Sequence, residues 1–424
     1  MAHFFPDLRA WMRAVGDSRR QEQIIYKGPF LIWMGLMLFL LKLGARRRLN
    51  FELDSPMALA NLNRLSGCAQ QDVADHGTLE HYLGHVPCSQ LHALRRQIVR
   101  RLIRMRVLDN ARLMGHLLLV FDGTGQLYFR QRHCEHCLTQ THDGTTRYYH
   151  HVLEAKLVTP EGLAISLDSE FIENADPEAG KQDCERKAFG RLAPRIKRDF
   201  PQLRLCLCLD ALYANGPILD LCRENGWKFF ITFEEGSLPA VWRDYQALRT
   251  LCPENRAVRT SPGGPRQEFT WVQDLSYVDE RGHPQSFHVL QCREQGHEDV
   301  FVWLTNFALR ADNVAMLANR GGRQRWKIEN QGFNIQKNGG FNLEHAFSLS
   351  NQQIKNYYVL LQIAHTILQL IEHGNLLSRH AKDLFGSLRD LARRLAESLR
   401  HYEISPEAAD PTVAASLRIR LDSG

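Results

Sequence analysis

The 424-residue chain has no apolar run long enough to cross a bilayer. Its longest, FLIWMGLMLFLL from Phe30 to Leu41, covers about 12 residues where a span needs about 20. Lys42 and Arg46 to Arg48 follow it, whereas a signal peptide carries its charges ahead of the apolar core. No small-residue cleavage site comes after. The segment reads as a buried helix, in the core or at a dimer surface, with neither a leader nor a membrane contact expected. A large charge excess is missing too. With 53 Lys+Arg against 47 Asp+Glu the net charge is +6, so nucleic-acid binding has to rest on local clusters. Internal repeats are absent. The 10 cysteines are scattered, with no secretory framework, which suits reduced, mostly buried thiols in a cytosolic protein.

What is present is a large core, at 44% hydrophobic residues, in a chain longer than one typical domain. Residues 1–110 read as helical. Ser89 to Val107 carries an apolar stripe of Leu91, Leu94, Ile98, Leu102 and Met105 at helical spacing. Arg95, Arg96, Arg100, Arg101, Arg104 and Arg106 fill most of the remaining face, with no acid among them. That density points to contacts with a phosphate backbone; a solvated basic face is the alternative.

From Gly115 the pattern turns to strands. His116 to Phe121 is apolar and runs into Asp122, with Leu127 to Phe129 beyond two glycines. His151 to Val158 and Leu163 to Leu167 follow, then a charged helix from Lys181 to Arg198. Leu203 to Leu209 is a buried strand ending at Asp210. A helix capped by Asn215, with Pro217 in its first turn and Gly226 at its end, leads to a strand over Trp227 to Phe233. This order predicts an α/β fold with a mixed sheet flanked by helices over 111–234. Residues 235–305 are rich in turn residues, including Ser261 to Pro265, with strand patterns at Phe269 to Val272, Phe287 to Leu290 and Val300 to Leu304. They read as an all-β insertion. The core resumes over 306–375, with a helix from Arg323 and an apolar helix from Asn351 to Ile371. A basic helical tail, 376–424, closes the chain, its last dozen residues loosely held.

Asp122 and Asp210 follow apolar strands, where side chains can leave the core for a cleft. Glu329 lies on the later helix, four residues after Arg325 and so on one helical face. Three carboxylates with open coordination suit Mg²⁺ or Mn²⁺. Two such ions can activate a water or a 3′-hydroxyl and stabilise the leaving oxygen of an in-line displacement.

The local motifs are VFDGTGQLYF at Asp122, KQDCERKAFGRL from Lys181, CLDALYANGPI at Asp210 and RWKIENQGFNIQKNGGFNLEHAF around Glu329. In this order the chain resembles the DDE transposases of bacterial insertion sequences, in the group with a tyrosine-arginine-glutamate-lysine signature. The resemblance extends from the apolar N-terminal helix to about residue 372. It implies a ribonuclease H-like core, with Asp122, Asp210 and Glu329 as catalytic and metal-binding residues and Arg325 holding a DNA phosphate. The signature departs at two places: Gly322 stands at the tyrosine position and Gln336 at the lysine position, with Lys337 one residue further. Either Lys337 reaches the phosphate or Gln336 serves as a neutral donor.

The resemblance further implies an enzyme that binds the terminal inverted repeats of its element, hydrolyses a phosphodiester and transfers the 3′-hydroxyl to target DNA, using two Mg²⁺ or Mn²⁺ ions. Double-stranded DNA is the implied partner, a homodimer the implied DNA-bound state, and the bacterial cytoplasm, at the nucleoid, the implied location. Trp271 in the insertion is a candidate to stack on an unpaired base, or else packs the small β core. A repressor without catalysis, and a nuclease without strand transfer, are the other readings. Cys134 and Cys137 have the spacing of a zinc half-site, with His133, His136 and His142 nearby, and Cys184, His150 or His151 available to complete a shell. The preferred reading of Arg132 to Gly144 is a loop bearing ordinary thiols and imidazoles, with structural zinc as the alternative. Asp183 and Glu185 either pair on a helix surface or order the helix start near the site.

Overall fold

The computed structural model describes residues 4–174, 182–260, 264–374, 381–405 and 419. Lys181, Ser261 to Gly263 and nearly all of the tail beyond Ser405 lie outside the described residues. Helices come first: α1 (Leu8–Arg13), α2 (Gly28–Leu40), α3 (Arg48–Leu53), α4 (Pro56–Ser66), α5 (His76–His85) and α6 (Cys88–Arg104). Strands β1 (Leu117–Phe129), β2 (Leu138–His142), β3 (Thr145–Val158) and β4 (Ala164–Ile172) follow. Next come α7 (Glu185–Asp199), β5 (Leu205–Leu209), α8 (Gly216–Asn225) and β6 (Lys228–Thr232). Then α9 (Pro239–Leu251) precedes β7 (Arg256–Thr260), β8 (Arg266–Val278), β9 (Pro284–Glu294) and β10 (Val300–Thr305). The remaining helices are α10 (Val314–Arg320), α11 (Asn334–Asn338), α12 (Asn351–His373), α13 (Ala381–Phe385) and α14 (Leu388–His401).

Local chemistry sets several boundaries. Asn215 accepts a hydrogen bond from the Ile218 amide at the start of α8, Pro217 occupies its first turn, and Gly226 ends it in the left-handed conformation. Ser55 and Gly67 do the same for α4.

The strands form one 10-stranded mixed sheet in the order β2-β3-β1-β5-β6-β10-β9-β8-β7. β2 and β4 divide the outer edge of β3 between them. Strands β1, β5 and β6 run parallel, and every other pairing is antiparallel. Helices flank the sheet. On one face Phe121 meets Phe189 of α7 with ring centroids 4.8 Å apart. On the other, Lys156 of β3 donates to Gln362 of α12 at 2.6 Å. The apolar helix α2 is buried along nearly its whole length and packs against α12. Among the described residues no helix is long and apolar enough to cross a membrane.

The structure departs from the sequence expectations in three places. The 235–305 segment is not all-β: it opens with α9, whose Val241 and Tyr245 are buried, and its strands continue the main sheet through the β10–β6 pairing. Turn residues dominate its composition and hide the helical spacing of Val241, Trp242 and Tyr245. The stretch from Arg323 is not a regular helix either. It makes a 3-10 turn over Gly322–Trp326, a π turn over Ile328–Phe333 and then α11. Gly332 rides on the Lys156 stem, where a Cβ would stand 3.2 Å from two of its methylenes, and wide turns of this kind accommodate such local insertions.

The third departure is Arg95, a candidate DNA contact that is only 2% exposed. Its guanidinium pairs with Asp168 and donates to Ser166 at 2.9 Å and Ser169 at 2.5 Å. The residue lies four after Leu91 and three before Ile98, inside the apolar stripe, and its partner acid arrives on β4. A buried charge stripped of its partner costs several kcal/mol. Arg95→Ala should therefore lower the unfolding free energy by about 3 kcal/mol, whereas the exposed Arg104→Ala should change it by less than about 0.5 kcal/mol. Urea unfolding of both variants checks this, and equal effects would refute the burial argument.

Candidate active site

The site begins with the parallel pairing of β1 and β5. Val120 sits opposite Cys208, and the same offset in sequence separates Asp122 from Asp210. The paired register stops there, and Asp210 follows just past the end of β5, near enough to Asp122 that its charge raises the Asp122 pKa. Asp122 is not at the end of its strand, since β1 runs on to Phe129. Asp210 is the first residue past β5, and its side chain accepts from the Leu212 amide at 2.9 Å.

Both aspartates point to the sheet face covered by the 321–338 stretch. Cys208, two residues before Asp210, donates its Sγ to the Gly321 carbonyl at 3.9 Å. Arg325 sits 3.8 Å from Asp122 Oδ2. Trp326 follows it, 55% exposed, with the Arg325 guanidinium 4.9 Å from its ring centroid. Glu329 is half-buried in the π turn and makes no side-chain hydrogen bond or ion pair among the described residues. At the tyrosine position, a Cβ on Gly322 would overlap the Trp303 ring, so packing alone requires glycine there. Gln336 is fully buried and donates to Gln362 at 2.8 Å, which removes it as a phosphate donor. Lys337 is half-exposed and pairs with Glu344 at 3.3 Å.

A further carboxylate, Glu185 at the start of α7, reaches the site from the opposite face. It does so because residue 123 is glycine: a Cβ there would overlap Glu185 Oε1 and His151 Nε2. His151 Nε2 and Glu185 Oε1 stand 3.2 Å apart. Burial raises the Asp122 pKa from 3.8 to about 6; the Arg325 charge opposes this, and Glu185 and Asp210 add to it. Asp210 is raised as well, chiefly by burial, with Glu185 and Glu234 contributing. Tyr213 is fully buried, its hydroxyl without a hydrogen-bond partner. Burial and the charges of Glu185, Asp210 and Asp122 push its pKa well above the ordinary tyrosine range. Acids crowded into a partly desolvated cleft beside one arginine lack compensating positive charge. An all-oxygen donor set of this kind fits a hard divalent cation.

The other candidates separate. Trp271, a candidate for base stacking, is 4% exposed and sits in the sheet opposite Leu290. Its alternation with Phe269 along β8 turns it inward, which rules it out as a stacking surface. On α6, Arg96 pairs with Asp199 at 2.6 Å. Arg100 and Arg101 donate to the Asp199 and Phe4 carbonyls at 2.8 and 3.0 Å. Arg104 is exposed and bonds only to the Arg100 carbonyl at 3.4 Å.

Among the described residues, two groups bring at least three metal-type ligand atoms within 4.8 Å of one another, and Asp122, Asp210 and Glu329 do not form one of them. One group is His133, Cys134, Cys137 and His150. The other is Asp220, Asp279 and His283, where Arg281 and Arg223 already balance the acids. The sequence reading offered Glu185 as one of two acids ordering a helix start near the site, and missed Trp326 as part of the Asp122 neighbourhood. For the close approach of Glu185 the only cue is the glycine after Asp122.

The raised Asp122 pKa carries a sign. An acid whose folded pKa lies above its unfolded value binds more protons when folded, so its ionisation opposes folding. The penalty is absent below pH about 4, grows between about 4 and about 6, and is complete above. Asp122→Asn should therefore raise the unfolding free energy at pH 8 by about 1–3 kcal/mol in chelator, with the gain vanishing near pH 4. Urea denaturation across that range measures it, and a pH-independent difference would sink the assignment.

No family model matches the chain, and no curated protein matches it. Among solved structures the chain is similar to a piggyBac transposase, seen by cryo-EM in a synaptic complex with hairpin DNA. The TM-score is 0.36 and the identity 10%, over 94% of this chain and 79% of that one.

Proposed function

We propose that the protein is a DDE transposase of the insertion-sequence type, which binds the terminal inverted repeats of its element and carries out metal-dependent cleavage and strand transfer. The observation that carries this reading is Asp122 lying close enough to Asp210 to feel its charge, with Arg325 3.8 Å away. The motif resemblance around Asp122, Asp210 and Glu329 supports it. So does the strand order β4-β3-β1-β5-β6, three antiparallel strands followed by two parallel ones, the arrangement a ribonuclease H-like core requires. On this reading 111–234 and 306–375 are the two halves of the catalytic core, 1–110 and 376–424 flank it, and 235–305 extends its sheet.

Asp122, Asp210 and Glu329 would hold Mg²⁺ or Mn²⁺, which would supply an activated hydroxyl and charge neutralisation at the phosphate. Among the described residues Glu329 has no partner to give up, so it is available as the third carboxylate. Arg325 exchanges its contact with Asp122 for a DNA phosphate, with Lys337 and Arg104 as outlying cations. Trp326 offers the stacking surface that Trp271 does not. The raised pKa of Asp122 makes proton release part of cation binding, so activity falls as the pH drops through about 6.

The test is a Mg²⁺-dependent cleavage and strand-transfer assay on duplexes taken from the DNA flanking the protein's own gene. Asp122→Ala, Asp210→Ala and Glu329→Ala should each lose at least about 1,000-fold in cleavage rate while retaining DNA binding. Trp326→Ala should weaken DNA binding by about 1–3 kcal/mol. Full activity in Glu329→Ala with loss in Glu185→Ala would move the third carboxylate to α7. Cleavage without joined product would make the protein a nuclease, and DNA binding with no cleavage by the wild type would make it a repressor.

A further inference from the structure

The loop between β1 and β2 folds back so that four side chains converge. Cys134 and Cys137 Sγ are 3.5 Å apart. His150 Nε2 of β3 is 3.5 Å from the first sulfur and 3.7 Å from the second. His133 completes the group, with Nδ1 3.1 Å from Cys137 Sγ and Nε2 3.2 Å from His150 Nε2. Sulfurs 3.5 Å apart are not a disulfide, whose bond is about 2.05 Å. As thiols and neutral imidazoles they crowd donors against one another with few good acceptors, an arrangement that four unligated side chains have no reason to adopt.

Zinc ligation accounts for this convergence, with His133 offering one of its two ring nitrogens. With Zn–S of about 2.3 Å and Zn–N of about 2.0–2.1 Å, a regular tetrahedron has edges of about 3.8 Å for S–S, about 3.6 Å for S–N and about 3.3 Å for N–N. The Cys134–Cys137 separation and both His150–cysteine separations fall within about 0.3 Å of those values, and one nitrogen of His133 lies within 4.8 Å of the other three ligand atoms. Two thiolates with two imidazoles select a soft-to-borderline ion, and four protein ligands leave no open position for substrate.

We infer that His133, Cys134, Cys137 and His150 form a closed structural zinc site that fastens the β1–β2 loop onto β3. Binding of Zn²⁺ forms two Zn–S and two Zn–N bonds and releases the two thiol protons to solvent. The site is separate from the Asp122 cluster in ligand chemistry but joined to it through the chain. His150 is a ligand, and His151, the next residue, faces Glu185. The Phe129 ring, at the end of β1, lies tilted against His133 with centroids 4.0 Å apart. The zinc therefore holds the strand pair whose middle carries Asp122.

The experiment is elemental analysis of the full-length protein, purified without a metal-affinity tag and dialysed against metal-free buffer. The wild type should retain about one zinc per chain, Cys137→Ser and His150→Asn less than about one tenth of that. Asp122→Ala, which lies outside the site, should keep its zinc whether or not the transposase reading holds. Because the ligand variants risk misfolding, the wild type also serves alone. Exchange into Co²⁺ should give intense tetrahedral d–d bands with thiolate charge transfer. Zinc-free wild type that also fails to show those cobalt bands would overturn the assignment, as would zinc retained in both ligand variants.

Discussion

A buried polar network holds the helices of one covering layer to the sheet. Glu154 and Lys156 of β3 are both fully buried, 3.7 Å apart. Glu154 accepts from Tyr358 of α12 at 2.7 Å and from Ser166 of β4. Lys156 donates to Gln362, which also accepts from Gln336 of α11. Arg95 of α6 joins through Ser166. Burial pulls the Lys156 pKa down to about 8 against the opposing pull of Glu154. Charges this deep are tolerated only when every partner is in place. The network fixes α6, α11 and α12 at one register over β3, and the segment carrying Arg325 and Glu329 runs directly into the α11 anchor.

That arrangement explains the chemistry of the neighbouring cleft. Asp122 pairs with Glu154 across β1 and β3, so the face carrying the candidate site and the buried network are one continuous surface of the sheet. Where Glu154 finds Tyr358, Ser166 and Lys156, Asp122 and Asp210 find backbone amides and a single arginine. The difference in partner supply, over one strand spacing, separates an acid that holds the fold from acids that are short of positive charge.

Much of this was legible in the sequence. Asn215, Pro217 and Gly226 announce α8, and Phe30 to Leu41 reads as buried because its length fits a core helix. Asp122 and Asp210 stand out where apolar strands meet polar residues. Arg95 was misread because a count of arginines ignores phase: it shares a helical face with Leu91 and Ile98, and the acid that neutralises it is far away in sequence. Of the two readings of Trp271, packing is the one its position favours, since it lies two residues from buried Phe269 on the same face of β8. Glu185 was legible as an acid near the helix start, but its close approach to Asp122 was not, because it depends on the missing Cβ of Gly123, a tertiary fact. The wide turn at Ile328–Phe333 is likewise set by the Lys156 stem beneath it.

The offset shared by Val120–Cys208 and Asp122–Asp210 gives the chain an uneven tolerance to length changes. Whole residues can be added between β2 and β3, or between β4 and α7, without moving one aspartate relative to the other. A single residue inserted between Leu117 and Asp122 is different. Side chains alternate along a strand, so the insertion would swing Asp122 through the sheet towards the Phe189 side. Homologous chains should therefore vary in their loops but hold the count from the start of β1 to its aspartate constant, as a ruler whose graduations are the pleats themselves.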